Sequence, residues 1–426
     1  MRKLILPVVL LVAIVGKFPN LASCWGGDGS SAQTPPFTRQ FGTGGDDWAN
    51  GITVQADGGV AVTGLTTGVL ETGHVPVPGG ECFLARFDAS GKILWARQFS
   101  PGVGYGVTVD PAGNLYVVGT AGGDVLVARF DPAGNRLWQF LGGSPQTDSG
   151  EAITVGPDNA VYVTGRTGGD FEPGGRNRGG TDIFVAKFTP NDNVPVWIRQ
   201  IGSQGQDFVE AIAVDDNGAV YVAGMSQGDF EGNTWNGAED VVLAKLSAVD
   251  GTAAWARQYG TPDDEYGSGV AIDGNGNVYV LGYTDADIDN TGVPADGIDL
   301  FLMKIDPGSG VRAWTVQKRT PGKDQAEGLS YRDGRLVAAG FTEGAFGGQN
   351  AGLTDAFLAS YSLSGTPLWT LQMGTASSEE IWWLAAGGDG NWYSAGSTTG
   401  LLRTGEASAG GRDAFLLKVD SSGTPR

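Results

Sequence analysis

Residues 51–64 read GITVQADGGVAVTG, and residues 82–99 read CFLARFDASGKILWARQF. Each is a pair of short apolar runs joined by a tight turn. Gly51–Val54 and Val60–Gly64 flank Asp57-Gly58-Gly59; Cys82–Phe87 and Ile93–Phe99 flank Asp88-Ala89-Ser90-Gly91. Alternation with a period of two argues for strands, and Asp and Gly at the joints supply the backbone angles that hairpins need. The two hairpins form one unit of four antiparallel strands, A to D, with a longer loop over residues 65–80 between B and C. No stretch carries a persuasive 3.6-residue apolar stripe.

The unit recurs along the chain. A Gly closes strand B at Gly64, Gly119, Gly165, Gly224, Gly282, Gly340 and Gly396. An acid opens strand C at Glu81, Asp124, Asp182, Asp240, Asp299, Asp355 and Asp413. An aromatic begins strand D at Phe37, Trp95, Trp138, Trp197, Trp255, Trp314 and Trp369, with Gln three positions later in every unit but that of Trp138. Trp95 and Trp138 are 43 residues apart, because an insertion before Asp124 is missing there. Sevenfold repetition of a four-stranded unit predicts an all-β, seven-bladed β-propeller with antiparallel blades. The seventh repeat stops after its third strand at Val419, while an orphan strand D precedes the first repeat at residues 37–42. The N-terminal strand is therefore expected to close the last blade.

Gly276-Asn277-Val278-Tyr279-Val280-Leu281-Gly282-Tyr283-Thr284 and Gly179-Gly180-Thr181-Asp182-Ile183-Phe184-Val185-Ala186-Lys187 resemble the bacterial seven-bladed β-propeller repeat known as SBBP. The resemblance extends over residues 37–426. It implies the fold and transfers no chemistry, because the family shares none.

The first residues, Met1-Arg2-Lys3, are followed by twelve apolar positions, Leu4–Val15, and then by Leu21-Ala22-Ser23-Cys24. The apolar run is too short for a mature bilayer span and fits a secretory leader. Leu21–Cys24 resembles the bacterial lipobox. That resemblance implies a leader over 1–23, an acylated Cys24 and a flexible tether over 24–36, rich in Gly and Ser. Two or three acyl chains, at about 0.8 kcal/mol per buried CH₂, hold a protein stably on a membrane. Trp25 rather than Asp after the cysteine, by resemblance to enteric sorting rules, favours the outer membrane. Cys82 is then left as a small hydrophobe.

Composition narrows the chemistry. The chain has 47 acidic and 27 basic residues and a formal charge of −20. Such a surface repels phosphate backbones and disfavours nucleic-acid binding. A single histidine, His74, cannot build a multi-His metal site, and two cysteines cannot build a disulfide framework.

The informative acids lie four residues ahead of the expected strand A: Asp47, Asp148, Asp207, Glu265, Asp324 and Glu379, with Gly102 in the second unit. Glu151, Glu210 and Glu327 stand one residue ahead of it. Strand A lines the channel of a propeller, so these nine carboxylates are the candidate channel-mouth ligand or cation site. The competing reading makes the first set turn-capping side chains. No cofactor is expected, Ca²⁺ being the cation such a ring would suit. Asp273-Gly274-Asn275-Gly276-Asn277 and Asp285-Ala286-Asp287-Ile288-Asp289 superficially resemble calcium loops, but neither has a terminal Glu. The B–C loops, with Phe171, Phe230, Trp235 and Phe346, are a second candidate surface; Trp382, Trp383 and Trp392 read as blade packing. The strand-C acids read as holding the B–C loops or pairing with cations such as Arg86, Arg97, Lys187 and Arg199.

The sequence thus predicts a non-enzymatic, lipid-anchored binding or scaffold protein of the cell envelope. It would be monomeric, with a protein or glycan ligand and a membrane as partners. Two alternatives stay open. One is a propeller enzyme, either a carboxylate-based hydrolase or lyase or a quinoprotein-like oxidoreductase, the latter suggested by the Asp88–Trp95 resemblance to a quinoprotein docking motif. The other is an outer-membrane assembly scaffold.

Overall fold

The computed structural model describes residues 38–426 except 176, 296 and 403–408. The leader, Cys24, the tether and Phe37 lie outside the described residues, as does part of the last B–C loop. Among the described residues, 28 strands form seven four-stranded antiparallel blades. The innermost strands are Asp47–Val54, Val103–Val109, Asp148–Val155, Asp207–Val214, Glu265–Ile272, Gly322–Arg332 and Glu379–Ala386. Each touches the next, and the seventh touches the first, so the ring is closed. Blades five and six are also joined by a short parallel contact, Gly297–Ile298 against Gly322–Lys323.

Closure follows the expected route. Arg39–Phe41 pairs antiparallel with Ala414–Leu416 and becomes the outermost strand of blade seven. The Phe41 ring packs 5.0 Å from that of Phe87 in blade one. Arg39 donates to the Ser90 carbonyl of the same blade at 3.0 Å.

Seven apolar clusters fill the seven interfaces between blades. Cys82 belongs to the cluster between blades one and two, and burial pushes its thiol up to about 12. The recurrent tryptophans are latches across these interfaces. The indole N–H of Trp95 donates to the Pro132 carbonyl, Trp138 to Pro190, Trp197 to Ala248, Trp255 to Pro307 and Trp369 to Ser421. An indole N–H needs such an acceptor, and each carbonyl lies just after strand C of the following blade, in the C–D turn for the first four. The Asp88–Trp95 segment is one of these docking pieces. Asp88 Oδ1 accepts from the Ser90 and Lys92 amides to close the turn, and Trp95 reaches the next blade.

The recurrent glutamine fastens the B–C loop. Gln200 donates to Asp182 at 2.9 Å and to the Gly169 carbonyl at 3.0 Å, and accepts from the Phe171 amide at 3.1 Å. Gln98, Gln258 and Gln372 repeat the arrangement, and Gln40 does so across the closure with Asp413 at 2.7 Å. Blade two has no long B–C loop to hold, and Leu141 stands at the glutamine position. The strand-C acids therefore pair with Gln and with loop amides, such as Arg178 N to Asp182. The four cations named from sequence go elsewhere. Lys187 goes instead to Asp158 and to the next blade's Ala248 carbonyl, Arg86 to Asp57, Arg97 to Glu71 and Arg199 to Glu172.

Candidate binding site in the central channel

The recurrent Gly does not close strand B but lies two residues before its end, and it explains how side chains reach the channel. A Cβ at Gly64, Gly165, Gly224 or Gly282 would collide with a carbonyl of the adjacent strand A. That carbonyl sits two residues before a β-bulge, and every strand A carries one. A bulge inserts one unpaired residue and re-aims its side chain. The bulged residues are Asn50, Tyr105, Glu151, Glu210, Ser268, Glu327 and Trp382, and all seven line one cavity of about 640 Å³ in the channel.

The predicted carboxylates separate into two sets. Asp47, Asp148, Asp207, Glu265, Asp324 and Glu379 are not ahead of strand A but open it or lie within its start, and their side chains are fully buried. Each is held by a Ser or Thr four residues earlier. Ser203 gives its amide to Asp207 at 2.7 Å and its hydroxyl at 3.0 Å; Thr43, Ser144, Thr261, Thr320 and Thr375 serve the others. The Thr ending strand B adds a second donor, as Thr342 does to Asp324 at 2.6 Å and Thr398 to Glu379 at 2.7 Å. Burial outweighs these bonds and raises Asp207 and Asp324 to about 6 and Glu265 to about 7. These six are fasteners of the D–A turn. As channel-mouth ligands they are a misassignment, because their oxygens are turned into the protein and given to local donors.

Glu151, Glu210 and Glu327 do face the channel, from within strand A rather than ahead of it. Arg166 Nε stands 3.1 Å from Glu151 Oε1, and its guanidinium lies over the Phe208 ring. Gln325 donates to Glu327 at 2.7 Å. Among the described residues no donor reaches Glu210. Its side chain is wetted by the channel yet ringed by protein. Enclosure pushes it up to about 8, the Glu151 and Glu327 charges adding to the effect and Arg166 opposing it; channel water tempers all of these. Burial raises Glu327 to about 7.

Sequence reasoning missed the aromatic wall. Trp48, Tyr105, Phe208, Tyr266, Tyr283, Trp382 and Trp383 all line the cavity. Tyr266 and Tyr283 stack at 4.8 Å. Trp382 and Trp383 are thus channel residues, whereas Trp392 is blade packing as expected. Trp383 occupies the position after the bulge, where the other blades carry Gly or Ala. It packs against the cluster between blades seven and one and also against that between blades three and four. Its indole therefore crosses the channel and floors the cavity. A second cavity of about 450 Å³ lies at the other ends of these strands, beside Val109, Val155 and Val214. A signal for the lining was present in five of the repeats, where a changing residue stands before Gly-Ile, Gly-Val or Ala-Ile.

The other candidates resolve locally. Asp273 closes its hairpin by accepting from the Asn275 and Asn277 amides, each at 2.9 Å. Arg319 lies between Asp287 at 2.6 Å and Asp289 at 2.7 Å, so a guanidinium fills the second calcium-like loop. Among the described residues no group of three or more His, Cys, Asp or Glu side chains gathers closely enough to hold a metal ion. His74 pairs with Glu81 at 2.8 Å. Phe230 and Phe346 are buried as plugs under their loops, while Trp235 is exposed. No helix among the described residues is long and apolar enough to cross a membrane.

Comparison with known proteins agrees with this architecture. Residues 94–126, 196–231 and 254–289 match the family described as the SBBP beta-propeller repeat. Each match runs from one outermost strand into the next blade. No curated protein sequence matches the chain. Among solved structures, a puromycin hydrolase mutant is similar with a TM-score of 0.54 at 14% identity, over 89% of this chain and 53% of that one. Virginiamycin B lyase from Staphylococcus aureus gives 0.50 at 10% identity, over 89% and 98%. BamB from Moraxella catarrhalis gives 0.45 at 12% identity, over 86% and 85%. At these identities the likeness is one of fold alone.

Proposed function

Taking as premise that the chain belongs to the SBBP beta-propeller repeat family, we propose that it is a non-enzymatic binding protein of the bacterial cell envelope, anchored through Cys24. In this reading the closed ring is a rigid frame, and the floored channel cavity with the B–C loops at its mouth takes the ligand. The carrying observation is the break in symmetry. Seven equivalent bulges present seven side chains of five kinds to one cavity, whose volume is ordinary for a small-molecule site. A purely structural channel has no need of that variety. The leader and lipobox support the location.

Equilibrium dialysis of an envelope small-molecule extract against the purified protein, read by mass spectrometry, tests this function. Asn50→Trp narrows the cavity with an indole while leaving every carboxylate in place. Enrichment of a compound by the wild type and not by Asn50→Trp is expected; equal enrichment would refute the cavity as the site. Metabolic labelling with an alkyne fatty acid tests the anchor, with loss of label expected in Cys24→Ala.

A carboxylate-based hydrolase or lyase is the second reading, favoured by one observation. Glu210 and Glu327 share a cavity and are raised toward neutrality, as general acids and bases are. Turnover of the enriched compound, lost in Glu210→Gln, would select it.

A further inference from the structure

Resting on the cavity as a binding site, we propose that its ligand is a small organic polycation carrying two or more protonated amines. The first argument is charge. Glu151, Glu210, Glu239 and Glu327 line the cavity against one cation, Arg166, which is already committed to Glu151. Glu210 and Glu239 are left without a counter-charge of their own, Glu327 has only the Lys323 ammonium in its field, and an anionic ligand would add to the repulsion.

The second argument is hydrogen bonding. Glu239 takes one donor, from Gln227 at 2.6 Å, and its other oxygen is buried with no partner. Ser268, 2% exposed, projects an unpartnered hydroxyl from its bulge into the same cavity. Leaving a buried acceptor unpaired is costly, more so when it is charged, and an ammonium supplies three donors and no acceptor. The Glu239 oxygen demands a donor, and the Ser268 hydroxyl can accept from one as well.

The third argument is the wall. Tyr266 and Tyr283 stand beside these acids, and the Arg166 guanidinium over Phe208 shows that the wall accepts a cation on a ring face. A chain with amines several bonds apart would lie along the aromatics and reach more than one carboxylate. A neutral sugar could stack there but would leave the charges unanswered.

Binding is linked to protons. Glu210 faces Glu151, Glu327 and Arg166, with Tyr105 and Tyr283 also in its field, and Glu327 faces Lys323, Glu380 and the Gln325 amide. Glu210 and Glu327 must be ionised to pair, so affinity increases as pH rises through their range.

Spermidine is the probe, by titration calorimetry on the purified protein at fixed ionic strength, with maltotriose and glutamate alongside. The expected result is one site, with affinity at least about tenfold higher near pH 8.5 than near pH 5.5. Glu210→Gln with Glu327→Gln should weaken it by about tenfold or more, and Asn50→Trp, which narrows the cavity, should weaken it as well. Asp250→Asn with Asp333→Asn removes equal charge at the surface and should leave it unchanged. No saturable spermidine site, or equal weakening by both double variants, would overturn the proposal. If spermidine fails while a neutral compound is enriched and then excluded by Asn50→Trp, the cavity stands and the polycation falls. If nothing is excluded by Asn50→Trp, both fall.

Discussion

Asp207 and Glu210 lie three residues apart on one strand, yet their environments are opposite. Asp207 is buried and receives the Ser203 amide and hydroxyl, with Ser226 beside it. Glu210 sits on the bulge, faces the channel and has no donor among the described residues. Asp148 and Glu151, and Asp324 and Glu327, repeat the contrast in placement, although Arg166 pairs with Glu151 and Gln325 donates to Glu327. The difference teaches that a carboxylate in a repeat protein is structural when its own turn supplies the donors, and available when a bulge removes it from them.

The sharpest way to break this contrast is to delete one acid of each kind. Asp207→Ala strands a buried amide and hydroxyl and should cost about 2–4 kcal/mol, read as the shift of a urea transition. Glu210→Ala removes a repelled charge and should cost nothing or stabilise slightly. Equal losses would end the distinction. Next is the glutamine fastener: Gln200→Ala should cost about 1–3 kcal/mol and open residues 168–180 to limited proteolysis, with the blades otherwise intact.

Acid titration sharpens the contrast further. Carboxyls raised in the folded state bind more protons folded than unfolded, so their contribution is complete at low pH and lost as pH rises. For Asp207, Asp324, Glu265, Glu327 and Glu210 the window runs from about 4 to about 8. Thermal midpoints should therefore fall across that range. Glu210→Gln with Glu327→Gln should flatten its upper part, and an unchanged slope above pH 6 would contradict their placement. Asp289 and Asp420, held down to about 2 by Arg319 and by the Ser422 turn, contribute in the other direction, and their share is lost only under strong acid. The smallest effect expected is at two serines. Ser203→Ala should lose about 1 kcal/mol, whereas Ser268→Ala, whose hydroxyl has no protein partner, should be neutral or slightly stabilising.

Much of the frame was legible in the repeats. The Gly, acid, Trp and Gln landmarks specified four strands per unit, seven units and the borrowed strand. The two hairpin turns were readable because Asp and Gly have few other reasons to recur there. Glu151, Glu210 and Glu327 were placed near the axis, though ahead of strand A. Their bulge was not visible, since it is defined by pairing with strand B. Trp382 and Trp383 were misread for the same reason: period-two alternation assigns inside and outside, and a bulge resets it by one residue.

The sequence by itself determined the ring, because each repeat's apolar faces can be buried only on a neighbour and the missing strand at one end matches the extra strand at the other. Only the tertiary structure decided which carboxylates serve the ring and which face the channel. Donors four residues away, a carbonyl pressed against a glycine and a tryptophan reaching across the axis are relations in space, and charge or spacing along the chain does not record them.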